Sequence, residues 1–390
     1  MKFSDLMTLA EASTGFSGGT IVDEMPHMSL SECAGALPMA IMSEQISLQE
    51  SVAKINDQMV EAAISALQTG SMSQYDTIVE GAFETIKNKI AAVFEKIKKF
   101  IKSIIAKLTL QIDKFRMTGK QLLSKYKNSE MLNHSFDDLV VNGYKFEKKD
   151  PFTSADTYIS DPQSLIAKGV PDIIRPEDFA RNIPSFASAD TEGNKEESDK
   201  QYGFNEARLD KINDTSSDER KLAFAEAMTN GVDMSAGSWV SDLKKELYGD
   251  KVDLTYGTDF TLDSVKKDLE GEDLAKIKQG YEKLLKAVNS DESALQKTAD
   301  KFKKDNKPAE QGKDQNRFIS LANKYFTAYL SIYQDCTGVI STIQSIRVDY
   351  EKSKVNQAKN IFARMLTYKK KDKNEDASDI DEIDVLSMDI

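Results

Sequence analysis

The stretch Val79–Arg116, VEGAFETIKNKIAAVFEKIKKFIKSIIAKLTLQIDKFR, decides the fold of this chain. Apolar residues return at Val79, Phe83, Ile86, Ile90, Val93, Ile97, Phe100, Ile104, Leu108, Ile112 and Phe115, in steps of three and four. That spacing follows the 3.6-residue turn of an α-helix and draws one apolar stripe along it. Lys87, Lys89, Lys96, Lys98, Lys99, Lys102, Lys107, Lys114 and Arg116 lie between the stripe positions, against Glu80, Glu84, Glu95 and Asp113. The helix therefore has a basic outer face in an acidic chain. Such a stripe can be core. It can lie on a membrane surface, with the lysines snorkelling around Ile and Phe. The basic face can also cradle the acidic N-terminal segment, or nucleic acid packed nearby. No aromatic residues interleave the lysines, which disfavours sequence-specific nucleic-acid recognition. The period continues through Leu122, Leu123 and Tyr126, giving a helix over about 79–127.

A second long helix is predicted near the other end, over about 316–366. Phe318, Ala322, Tyr325, Tyr329, Ile332, Cys336, Val339, Ile343, Ile346 and Tyr350 step by four and three, as a heptad seam does. Gly338 beside the seam is a defect costing about 1 kcal/mol against Ala. Between the two helices the chain changes character. Five of its eight prolines, Pro151, Pro162, Pro171, Pro176 and Pro184, exclude long helices there. Leu139–Phe146 and Asp253–Phe260 are the candidate strands. Shorter helices are expected at Ser217–Thr229 (N-cap Ser217), Gly237–Leu247 (anchored by Trp239), Leu262–Ala287 and Glu292–Lys304. The fold class is thus mainly α: long amphipathic helices near both ends pack as a helical bundle, antiparallel, around a Pro-rich irregular α+β centre. Five segments follow. Residues 1–50 are an acidic, weakly ordered leader that reads as a propeptide, and 51–128 an amphipathic helical region. A Pro-rich central region over 129–260 precedes a C-terminal helical region over 261–370 and an acidic disordered tail over 371–390.

The formal charge of −12 and pI near 5.0 argue against nucleic acid as a partner of the whole surface. The charge is concentrated at the ends. Residues 1–80 carry eleven carboxylates against Lys2 and Lys54, a net −9, and residues 374–390 carry seven carboxylates and no base. Cys33 and Cys336 are the only cysteines, so neither a disulfide framework nor a zinc cluster is expected. No run of about 18 uncharged apolar residues suggests a transmembrane helix, and Asp5 and Glu11 spoil the N-terminus as a secretory signal.

Catalytic motifs are sparse. His27 and His134 are the only histidines, and neither accompanies a GxSxG. Gly15–Thr20, GFSGGT, matches neither GxGxxG nor the phosphate loop. DASDIDEID, residues 376–384, lacks the central Gly and terminal Glu of an EF-hand. The expectation is a non-enzymatic protein with no catalytic residue, cofactor or metal site.

Residues 80–128, EGAFETIKNKIAAVFEKIKKFIKSIIAKLTLQIDKFRMTGKQLLSKYKN, resemble a segment of virion structural proteins of large tailed bacteriophages. There an acidic leader precedes an EG-x-x-E-x-I-K helix that ends in a K-x-L-x-x-K-Y-like stretch. With the leader, the resemblance covers about a third of the chain. It implies a virion protein assembled in the host cytoplasm, packaged in the head, whose partners are other virion proteins, itself or head proteins. It also implies trimming by a prohead protease after Leu-x-Glu. Leu9-Ala10-Glu11-Ala12 and Leu48-Gln49-Glu50-Ser51 carry that pattern, placing cleavage at Glu11/Ala12 or Glu50/Ser51. Assembly would run through the first helix (Phe83, Ile86, Ile90, Val93, Ile97, Phe100, Ile104, Leu108) and the C-terminal seam (Phe318, Tyr325, Tyr329, Ile332, Ile343). The alternative is a membrane-binding or membrane-active protein using the basic helix 79–116.

Overall fold

The computed structural model describes residues 73–126, 139–146, 152, 155–179, 206–229, 232–256, 262–305 and 312–367. They are mostly helical. In chain order they form α1 (Ser73–Tyr126), β1 (Leu139–Tyr144), α2 (Ala155–Ser160), α3 (Pro162–Gly169), α4 (Glu206–Asp214) and α5 (Ser217–Met228). Next come α6 (Trp239–Tyr248), β2 (Lys251–Tyr256), α7 (Leu262–Leu269), α8 (Glu272–Asp305) and α9 (Gly312–Thr367). The two long end helices, α5, α6 and the two strands lie where the apolar spacing predicts elements, while α2, α3 and α4 are short helices that the sequence reading did not name.

The chain forms two compact units. The first takes its described residues from within 1–103, 154–228 and 283–341, the second from within 104–153, 229–282 and 342–390. The helices α1, α8 and α9 each run through both. Each of the linear segments 51–128, 129–260 and 261–370 therefore contributes to both units, a division that no local composition marks.

In the first unit α1 buries its stripe: Phe83, Ile90 and Phe100 are fully buried, and Ile86, Val93 and Ile97 nearly so. Each such side chain contributes about 1.5–3 kcal/mol when removed from water. Phe94 meets Tyr333 of α9 with ring centroids 4.9 Å apart. The ion pairs Lys87–Asp300 (2.7 Å) and Lys98–Glu292 (2.9 Å) join α1 to α8. Residue numbers rise along α1 as they fall along α8, so these two helices are antiparallel.

The second unit holds the sheet. β1 and β2 pair antiparallel, from Leu139 opposite Tyr256 to Tyr144 opposite Lys251. Leu139 and Val141 point into a core with Leu122, Val265, Leu269, Ile361, Phe362 and Met365. On the outer edge of β1, Gln357 of α9 stands in for a third strand. Its Oε1 accepts from the Tyr144 amide at 2.8 Å and its Nε2 donates to the Tyr144 carbonyl at 3.1 Å. Residue 143 must be glycine for this, since a Cβ there would lie 2.6 Å from the Gln357 Oε1.

Four expectations change. The end helices were expected antiparallel, but Phe94 faces Tyr333 while Leu122 shares its core with Phe362. Numbers rise together along α1 and α9, so the two run in the same direction, and α8 is the antiparallel partner of α1. The helix expected over Leu262–Ala287 is broken at Gly271, whose φ of 62° lies in the left-handed region that glycine enters without steric cost. The break expected before Glu292 is absent. Asn289, whose Nδ2 donates to the Leu285 carbonyl at 2.9 Å, sits inside α8. Lastly, Ser216 rather than Ser217 caps α5. Its Oγ accepts from the Glu219 amide while the Glu219 carboxylate accepts from the Ser216 amide, a capping box. Ser217 is thereby free to donate to Asp335.

Candidate functional site

The proposed processing residues Glu11, Ala12, Glu50 and Ser51 lie outside the described residues, as do His27, His134 and Cys33. Every named residue of the assembly helix, Phe83, Ile86, Ile90, Val93, Ile97, Phe100, Ile104 and Leu108, is buried. In the C-terminal seam Tyr325, Tyr329, Ile332 and Ile343 are buried, while Phe318 lies in α9 with its side chain outside the described set. Both stripes are occupied within the fold.

The seam understates α9. No residue from 322 to 355 is exposed, so the helix is enclosed on all sides rather than along one heptad face. Asn323, Gln334, Ser341 and Gln344, which lie off the seam, are buried too. Among the described residues the Asn323 and Gln344 amides and the Tyr329 hydroxyl are buried without a hydrogen-bond partner.

The main concentration of buried polar chemistry is in the first unit, around α9. Tyr325, Tyr329 and Tyr333 recur every four residues and stack down one side of the helix, with centroids 5.8 and 6.3 Å apart. Phe179 stacks on Tyr325 at 3.7 Å, and the Tyr325 hydroxyl donates to the Ile174 carbonyl. At the other end of the ladder the Tyr333 hydroxyl donates to Asp291 Oδ2 at 2.8 Å, and Gln163 Nε2 donates to Asp291 Oδ1 at 2.6 Å. Gln163 is held in place by α3, which Asp161 caps and Pro162 starts. Burial pushes the Asp291 carboxyl up to about 6, against the pull of these two donors, with Asp161 and Glu177 adding repulsion. Burial likewise raises the Tyr333 hydroxyl and the Cys336 thiol, so both remain protonated at neutral pH. The thiol donates to the Pro162 carbonyl at 3.6 Å.

Two residues beyond Tyr333 on α9, Asp335 forms a largely buried ion pair with Arg220. Arg220 reaches Asp335 Oδ2 at 2.7 Å and also donates to the Thr215 carbonyl and the Ser331 hydroxyl, while Ser217 donates to Asp335 Oδ1. This satisfied network fastens α5 to α9. On α1, burial works to lower the Lys98 ammonium, but its hydrogen bonds to Glu292 and Glu95 outweigh that and hold it above its ordinary value. Lys87 and Lys98 thus find counter-charge on α8, where the sequence suggested the acidic leader.

The Asp291 cluster can bind and release one proton near pH 6 and can hold α3, α8 and α9 together. Beside it an open groove of ≈ 510 Å³ is lined by Glu177, Ser290, Ser293, Ala294, Lys297, Thr298 and Lys301. Among the described residues no group of His, Cys, Asp and Glu is placed to hold a metal, and no helix is long and apolar enough to cross a membrane. The sequence could have pointed to the ladder through its i+4 tyrosines. It could not have pointed to Asp291, which sits in the polar run Asn289–Glu292 that reads as a helix end. Comparison with protein-family models, curated proteins and solved structures finds no match to this chain.

Proposed function

We propose that the chain is a non-enzymatic structural protein of a large tailed bacteriophage virion, packaged in the head and trimmed by a prohead protease. The observation that carries this reading is the block 80–128 behind an acidic segment holding Leu9-Ala10-Glu11-Ala12 and Leu48-Gln49-Glu50-Ser51. The fold supports a structural role through the use it makes of its long helices: the apolar stripe of α1 and the seam of α9 lie inside, and their polar chemistry joins helix to helix. Assembly with head proteins or further copies then uses the outward face of α1, with the stripes kept as core.

Mass spectrometry of purified particles of the phage encoding this chain tests the reading. The expected species begins at Ala12 or Ser51. An intact Met1 end removes the processing, and absence of the chain from particles removes the virion role. The membrane-binding alternative is favoured by one observation, the exposed Leu110 and Met117 beside Lys114 and Lys120 on α1. Burial of the stripe opposes it.

A further inference from the structure

The second unit displays an outward face on α1 that nothing among the described residues covers. Leu110 and Met117, one heptad apart, are 67% and 62% exposed, the two most exposed large apolar side chains described. On a helix, positions 106, 110, 117 and 121 form one strip, opposite the buried Leu108, Ile112, Phe115 and Leu122. Lys114 and Lys120 flank the strip and Arg116 lies beside it, all exposed, with Asp113 as the one acid among them. No ion pair among the described residues engages these three cations. The face is therefore apolar along its centre and basic along its rims.

We infer that this face docks the acidic C-terminal segment of the same chain, residues 380–390. The carboxylates of that segment would meet Lys114, Arg116 and Lys120, and its apolar residues would cover Leu110 and Met117. The segment has the complementary chemistry. Ile380, Ile383, Leu386 and Ile390 recur at steps of three and four, as on one helix face, and Asp379, Asp381, Glu382 and Asp384 surround them without a single base. It also starts from the right place. α9 ends at Thr367, and Met365 and Leu366 lie in the same core cluster as Leu122 near the end of α1. Met117 is five residues from Leu122, about 8 Å along a helix axis. The twelve residues from 368 to 379 span up to about 40 Å when extended, ample for either Leu110 or Met117. A second copy is a poorer occupant, because the same face would oppose its three cations to those of the first.

The inference does not rest on the virion reading. Its test is the reactivity of a cysteine introduced by Met117→Cys in a chain also carrying Cys33→Ser, with Cys336 buried and slow. Maleimide labelling is followed in the full chain and in a chain ending at residue 373. A tethered segment acts at an effective concentration of order 1 mM, so a docking constant of order 0.1 mM protects the thiol about tenfold. Labelling is expected to accelerate by about that factor on truncation, and by a similar factor in the full chain in high salt. A synthetic peptide of residues 374–390 should restore protection to the truncated chain. Equal rates in the two chains overturn the inference. Protection that survives truncation and grows with protein concentration assigns the face to a second copy, and protection that survives independently of concentration assigns it to another segment. Either result also overturns it.

Discussion

Asp291 carries an ionisable proton into the core of the first unit, and the sign of its effect follows from its surroundings. Its two partners, the Tyr333 hydroxyl and the Gln163 amide, are neutral donors, and the charges that act on it most, Asp161 and Glu177, are acidic. Burial therefore dominates and raises the carboxyl from 3.8 to about 6. A carboxyl raised on folding binds its proton more tightly in the native state than in the unfolded chain. The resulting stability is fully present below about pH 4 and is lost as pH rises through about 6. At 1.36 kcal/mol per pKa unit the loss is on the order of 3 kcal/mol. Asp291→Asn keeps an acceptor for Tyr333 and removes the charge. Urea unfolding of the variant is expected to lose the part of the pH-dependence between about pH 4 and 7 that Asp291 supplies, leaving that of the other raised carboxyls, Asp268 and Glu351, and to gain about 2 kcal/mol at neutral pH. A variant less stable than the parent at neutral pH would show that the ionised carboxylate is needed there. The same residue illustrates the limit of local reading, since only Gln163 and Tyr333, distant in sequence, make its burial tolerable.

Gly119 of α1 and Gly338 of α9 are both interior to their helices, and their surroundings give the same substitution opposite signs. At Gly338 a Cβ would meet nothing within 4 Å. Gly338→Ala should therefore recover the helix propensity that glycine forfeits, about 1 kcal/mol, and raise the midpoint of thermal unfolding. At Gly119 a Cβ would lie 2.8 Å from the Leu269 carbonyl oxygen and 3.2 Å from its carbon. Backbone cannot swing aside as a side chain can, so Gly119→Ala forces α1 and the end of α7 apart at a cost of about 1–3 kcal/mol. Circular-dichroism melts of the two variants compare them directly, and a Gly119→Ala variant as stable as Gly338→Ala would refute the close approach. Both glycines look alike in sequence, each set within a strong apolar period. Helix ends show the same limit. Gly271 stops a helix whose apolar spacing runs on, while Asn289–Glu292 fails to stop one, because the carboxylate there is received by the core.

For the molecule as a whole, burial of the α1 stripe bears on membrane affinity. Ten stripe residues from Phe83 to Phe115 are 5% exposed or less. Placing them in lipid would first empty the core at about 1.5–3 kcal/mol per side chain. The intact protein is therefore expected to stay at the bottom of a flotation gradient with anionic vesicles at physiological salt, while an isolated 79–116 peptide floats. Flotation of the folded protein that resists high salt would restore the membrane reading. By itself the sequence determined the two long helices, the absence of long helices among the prolines, two strand segments and the segregation of charge to the ends. Periodicity of apolar residues and the φ restriction of proline are local properties, legible without partners. Tertiary structure alone decided that α9 is enclosed on every side, that α1 and α9 run in the same direction, that α1, α8 and α9 are shared between two units, and that Asp291, Arg220 and Asp335 lie inside. Those outcomes depend on which distant residue supplies the compensating donor, charge or surface, and that pairing is a property of the folded chain.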